Sequence, residues 1–291
     1  MSAALRLATR ASPLAMWQAR HTAARLRSRF PGLSIVLVPV ISTGDRDRST
    51  PLYGMGGIGV FAKEVHEAVL SGQADVGVHS CKDLPTATPD GLTLAALLPR
   101  ADARDALIGA TTVAALPPQA LIGTSSPRRQ AQLAALRPDL RFAPIRGNVA
   151  TRLRKVADGE FTATLMAMAG LHRLGLLRAS SAAPLDPRLE CTPSPGQGAV
   201  ALDCRITDLR AQRLLATLNH APTATAITIE RQVLAGLRGG CSLPFGCHVH
   251  RDADGHWQLI ARLADAQNEL RTVVLHGNSA SLAARALAQL R

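Results

Sequence analysis

Residues 121–157 read LIGTSSPRRQAQLAALRPDLRFAPIRGNVATRLRKVA. The stretch opens on a short β-like run over 121–124 and passes through hydroxyls to a proline. Ser125 or Ser126 can cap a helix there, with Pro127 at the first position, where a missing N–H removes no helical bond. A second apolar run over 140–145 leads through Gly147 and Asn148 into a helix over 148–157, and 161–166 is the next strand. Strands alternating with helical segments in this way predict βαβ units and a mostly parallel sheet.

The same rhythm extends toward the N-terminus. Residues 5–8 form a short strand, Ser12 caps a helix with Pro13 at its start, and 35–41 is a strand whose Pro39 belongs at an edge or a bend. Residues 42–57, STGDRDRSTPLYGMGG, predict a long loop, and loops of that length in a domain are usually functional or mobile. A helix over 60–70 and a strand over 75–79 follow. Toward the C-terminus, GAVALDCR (198–205) predicts a strand returning to the first lobe, and the remainder predicts a helix, alternating segments and a final helix. The expectation is an α/β protein in three parts: residues 1–98 with 196–217, residues 99–195, and a small α+β domain over 218–291.

Composition narrows the function. Hydrophobic residues at 47% and charged residues at 19% exclude a disordered chain. No apolar run reaches the roughly 18 residues of a membrane span. Arg6 and Arg10 stand where a signal peptide has its apolar stretch, so a cytoplasmic protein with reduced cysteines is expected. Lys and Arg number 33 against 21 Asp and Glu, a formal charge of +12. Nucleic acid is disfavoured as the cause: aromatics are 3%, too few for base stacking, and no recognition motif is present. The cations gather instead in separate short clusters, at Arg128 and Arg129, at Arg146, at Arg152, Arg154 and Lys155, and at Arg173. That pattern suits a cleft for a small polyanion.

Several motifs carry chemistry. GMGGIG (54–59) matches a dinucleotide fingerprint in form, but charged residues and Pro51 precede it where a strand is required. DVGVHSCKDLPT (75–86) puts His79, Lys82 and Asp83 at a strand's carboxyl end, where ligands of open α/β sheets bind. GTSSPRRQ (123–130) places two arginines in a first helical turn, against the helix dipole, which argues for a bound anion. IRGNVATRLRK (145–155) repeats the arrangement with Arg146, Arg152 and Lys155. LRGGCSLPFGCHVH (237–250) sets Cys241 on a tight glycine turn. The spacing Cys241, Cys247, His248, His250 fits zinc poorly, and no metal is expected.

Taken together, LATRASPLAMWQA, GGIGVFAKE, VGVHSCKDLPT, GTSSPRRQAQL, IRGNVATRL, AMAGLHRLGL, PGQGAVALDCR and ERQVLAGLRGGCSLPFG resemble the porphobilinogen deaminase family, in order and through most of the chain. The resemblance implies two αβ lobes of periplasmic-binding-protein type and a third domain with the cysteine loop. It implies head-to-tail condensation of four porphobilinogen molecules on a dipyrromethane cofactor attached through Cys241, with Asp83 as the catalytic carboxylate. Positions matching those that hold acetate and propionate groups are Lys82, Ser80, Thr124, Ser126, Arg128, Arg129 and Arg146 for the cofactor, and Arg10, Ser12, Arg152 and Arg173 for the substrate. Ile58 departs from a lysine found in several relatives, Cys81 from a larger apolar residue, and Pro127 stands between the serines and Arg128. A monomer acting on a small molecule is expected. A non-enzymatic anion-binding protein and a nucleic-acid binder are the alternatives, and the first leaves the GGC loop without a purpose.

Overall fold

Two helix N-caps show how the sequence sets the architecture. The Ser12 hydroxyl accepts from Ala15 N, and Ser126 accepts from Arg129 N, each with proline at the next position. The computed structural model describes residues 4–41, 61–237, 243–252, 254–265, 267 and 269–291. The long loop predicted over 42–57 and Cys241 lie outside them.

In chain order the first elements are β1 (Leu5–Arg10), α1 (Pro13–Arg29), β2 (Ile35–Val40), α2 (Lys63–Leu70), β3 (Val76–Ser80) and β4 (Leu92–Leu97). There follow β5 (Asp105–Ile108), β6 (Leu121–Gly123), α3 (Pro127–Leu136), β7 (Arg141–Ala143), α4 (Val149–Ala157), β8 (Ala163–Ala167), α5 (Met168–Arg173) and β9 (Ala183–Pro184). The chain ends with β10 (Val200–Arg205), α6 (Leu209–Ala216), α7 (Ala221–Gly236), β11 (Phe245–Arg251), β12 (Trp257–Ala264), β13 (Leu270–Gly277) and α8 (Ser279–Leu290).

The two five-stranded sheets share one plan. Their orders are β2-β1-β3-β10-β4 and β7-β6-β8-β5-β9. In each, three parallel strands come first, and the fourth strand runs antiparallel to both its neighbours. That fourth strand is the one adjoining the crossover between lobes, β10 in one sheet and β5 in the other. The α/β class with a small α+β C-terminal part therefore holds, with two sheets of one strand order. Pro39 lies on β2, at the sheet edge, where its missing N–H interrupts no ladder. Elements β4, β5, β9, α5 and α6 are not among those predicted from the sequence.

The chain separates into two compact units. One holds the described residues up to 101 together with 199–224, and the other holds 102–198 with the described residues of 225–291. In the first, Leu7, Val76, Val78, Val200 and Leu202 pack on Ala19, Ala23 and Leu26 of α1. In the second, Leu107, Ile122 and Leu165 pack on Leu133 of α3. The antiparallel meander β11-β12-β13 packs on α7 and α8 through Val233, Val249, Leu259, Val273 and Leu282. Glu230 ties it to the same unit: its buried carboxylate accepts from Gly196 N at 2.7 Å and Val249 N at 2.8 Å. No helix among the described residues is long and apolar enough to cross a membrane.

Candidate active site

In the first unit, β3 ends at Ser80 and the chain turns at once through a single 3-10 turn, Cys81–Asp83. Cys81 N donates to Ala199 O at 3.0 Å, which fixes the turn against the approach to β10. The Cys81 side chain packs into the core, leaving its neighbours outside it. Asp83 thereby joins Arg10, Ser12, His79, Ser80 and Phe61 in lining one cavity. The Gln18 amide donates to Ser80 Oγ at 2.8 Å and so fixes that hydroxyl. The Arg10 guanidinium lies 4.1 Å from the Phe61 ring centroid, a cation–π arrangement. Five of the residues singled out from sequence, Arg10, Ser12, His79, Ser80 and Asp83, thus meet at the carboxyl ends of β1 and β3, and Lys82 sits in the same turn. A carboxylate, a cation and fixed hydroxyls in one cavity can orient a small zwitterion and stabilise developing positive charge.

In the second unit, the loops after β6 and β7 are joined by Ser125, whose hydroxyl donates to Ile145 O at 3.0 Å and accepts from Ile145 N at 3.2 Å. Ser126, not Ser125, caps α3, and Thr124 Oγ1 accepts from Ser126 N. Asn148 caps α4 through Thr151 N. Gly147 makes the preceding turn at φ 109°, in the left-handed region open to glycine. The Arg152 Nε donates to Gly147 O at 2.9 Å. Burial, then the charges of Arg129 and Arg146, push the Arg152 guanidinium down to about 10. Among the described residues no carboxylate pairs with Arg152. Burial also lowers Arg173 to about 10, and its Nη2 donates to Gly198 O at 2.7 Å.

Arg128 and Arg129 prove different. Their guanidinium groups are buried and converge on one carboxylate, Asp105, at the start of β5. Arg128 Nη1 lies 2.7 Å from Oδ2, and Arg129 Nη2 lies 2.6 Å from Oδ1. Arg128 Nη1 also reaches Thr192 O at 2.7 Å, and Arg129 Nη1 reaches Leu165 O at 2.8 Å. Burial works against the Asp105 charge, but the two arginines outweigh it and hold the carboxyl well below the usual range. Beside it, burial pushes the Cys191 thiol up to about 12, so that sulfur is no nucleophile near neutral pH. The anion that two arginines in a first helical turn demand is therefore supplied, in large part, by the chain itself. Asp105 was not among the residues singled out from the sequence. Its signal was the same disfavoured cation pair, together with an acid opening the short apolar run DALI.

The family described as porphobilinogen deaminase, dipyromethane cofactor binding domain, matches residues 5–213. The chain belongs to the porphobilinogen deaminase family. That makes it, at the level the family supports, a transferase-type enzyme of tetrapyrrole biosynthesis whose matched region is a dipyrromethane-binding domain. Solved structures of similar shape include the periplasmic aliphatic sulphonate binding protein SsuA from Escherichia coli, with TM-score 0.40 and 16% identity over 82% of this chain and 71% of that one. An ABC transporter from Parabacteroides distasonis gives TM-score 0.46 and 12% identity over 81% and 76%. YhfZ from Shigella flexneri gives TM-score 0.40 and 16% identity over 81% and 91%.

The residues present fit the porphobilinogen deaminase cofactor, whose pyrroles carry carboxylate side chains. Burial, and after it the charges of Arg129 and Arg146, lowers Arg152, and no carboxylate of the described residues pairs with Arg152. An anionic ligand relieves that repulsion.

Proposed function

We propose that the protein is a hydroxymethylbilane synthase. It condenses four porphobilinogen molecules head to tail, with loss of ammonia, on a dipyrromethane primer carried by Cys241, and releases the linear tetrapyrrole by hydrolysis. The observation that carries this reading is the position of Asp83, in one cavity with Arg10, Ser12 and Ser80 at a strand's carboxyl end.

Porphobilinogen is an aminomethyl pyrrole with two carboxylates, and loss of ammonia from it builds positive charge on the ring. A fixed carboxylate near the pyrrole N–H stabilises that charge without reorganising at the moment of reaction. Asp83 takes this role. Arg10 and Ser12 hold the carboxylates of the incoming molecule, together with Arg152 and Arg173. Ser80, Lys82, Thr124, Ser126 and Arg146 hold those of the cofactor. When bound, the dipyrromethane supplies the nucleophilic carbon that starts the chain, and tethering keeps the reacting partner in place.

Arg128 and Arg129 contribute to the same cofactor site from a fixed base. With Asp105 holding their guanidinium groups, they present a preset positive field at the start of α3. Each added unit brings two carboxylates, which accounts for a net charge of +12. The three-part division predicted from sequence, with the cysteine loop in its own C-terminal part, belongs to this proposal, as does a monomer working in the cytoplasm.

The test is turnover itself. Purified protein given porphobilinogen releases ammonia and a linear tetrapyrrole, four of the former for one of the latter. Tight binding of porphobilinogen without ammonia release would favour an anion-binding protein instead.

A further inference from the structure

Three buried side chains of the first unit have no part in the reaction proposed above. His66, on α2, and His79, on β3, each place Nε2 3.0 Å from one atom, Oδ2 of Asp203 on β10. Their side chains are 7%, 5% and 3% exposed. One donor atom from each lies within 4.8 Å of the others.

At 3.0 Å an aligned N–H donates a hydrogen bond. Yet neither Nε2 has a hydrogen-bond partner among the described residues, and Asp203 Oδ1 has none either. The distances suit a bond and the directions do not. Two ring nitrogens are held beside a carboxylate without aiming at it, which is how ligands sit when they share a third object. Donors 2.0–2.2 Å from one ion lie roughly 3 Å apart or more.

The sheet leaves room for such an object. Asp203 pairs across the ladder with Gly77. A Cβ at residue 77 would lie 2.2 Å from Asp203 Oδ1 and 2.6 Å from His79 Nε2. The glycine is needed there for space, since any side chain would fill the cradle. Buried polar groups without aligned partners, one of them a carboxylate, are costly unless something compensates them.

We propose that His66, His79 and Asp203 form a binding site for one divalent transition-metal ion of the zinc class. Two imidazole nitrogens and one carboxylate oxygen are the donor set of zinc and its first-row neighbours, whereas magnesium and calcium take oxygen ligands. The ion joins α2 to β3 and β10. It also fixes His79, which lines the cavity that contains Asp83.

The full-length protein, freed of metal by chelation, is titrated with Co2+ and followed by visible d–d absorption. One equivalent binds, Zn2+ displaces it, and Zn2+ raises the Tm. His66→Gln and Asp203→Asn each weaken Co2+ binding by more than the roughly 10–100-fold that loss of an outer hydrogen-bond partner costs. His256→Ala, in the group of Asp252, Asp254 and His256 at the other candidate position, leaves the titration unchanged. X-ray absorption of zinc-loaded wild-type protein needs no variant, and it shows two imidazoles without sulfur. Absence of a saturable Co2+ spectrum in the wild type overturns the proposal and leaves a proton shared by the three side chains. Sulfur ligation, or binding that survives His66→Gln but not His256→Ala, overturns it too.

Discussion

Asp105 and Arg129 meet through two hydrogen bonds to one oxygen, from Nε at 3.1 Å and Nη2 at 2.6 Å, in the interior of the second unit. Arg128 takes the other oxygen. The carboxylate is fully buried, so the two arginines are what make its charge tolerable.

Removing that charge leaves two guanidinium groups buried without their anion. Asp105→Asn is therefore expected to lower stability by about 3–5 kcal/mol, measured by urea unfolding at pH 7. The pH dependence has a defined sign. The folded-state carboxyl titrates below the ordinary Asp value of about 3.9. Its contribution is complete above that pH and is lost as pH falls toward the folded value. The stability gap between wild type and Asp105→Asn should narrow steadily below about pH 4. A gap that is constant down to pH 3 contradicts the ion pair.

The arginines divide into two classes under Arg→Lys, which keeps the net charge. Arg129→Lys breaks the forked Nε and Nη2 bonds to Asp105, and Arg128→Lys removes the one Nη1 that serves both Asp105 and Thr192 O, so the unfolding midpoint should drop in both. Arg152→Lys touches no carboxylate of the described residues. It should unfold like wild type while losing roughly 1.5–3 kcal/mol of ligand interaction for one charge-assisted bond, read as stalled addition of porphobilinogen units by mass spectrometry. If Arg152→Lys runs the full ladder at normal rate, Arg152 does not hold ligand.

Asp83→Asn preserves size and hydrogen-bonding shape in the cavity with Arg10 and Ser12. Turnover should fall by about 100-fold or more, as for loss of one preorganised electrostatic group. The unfolding midpoint should hold. Near-normal turnover assigns the charge-stabilising role to another residue.

Much of this was legible because local rules act alone in places. Ser12-Pro13 and Ser126-Pro127 start helices where their hydroxyls and fixed φ require it, and Pro39 belongs on an edge strand for want of an N–H. The choice between Ser125 and Ser126 was not local: it turns on Ser125 bonding to Ile145, on the next loop. Asp105 was hidden for a similar reason. DALI is four residues long, opens on a charge and shows no alternation, so no strand signal marks it; as an inner strand it depends on two arginines more than 20 residues away that neutralise the acid. The cluster of His66, His79 and Asp203 was equally out of reach, since a helix and two strands distant in sequence bring it together. Asp83, by contrast, fell where the βα rhythm places ligand-binding ends, while Arg10 came only from the family resemblance.

A dipyrromethane primer on Cys241 is visible in the intact mass of the purified protein. Wild-type protein should exceed its sequence mass by two linked pyrrole units, and Cys241→Ser should fold yet lack the sulfur-linked excess. A Cys241→Ser protein that still carries the two-pyrrole mass, while Cys247→Ser has lost it, would contradict the assignment.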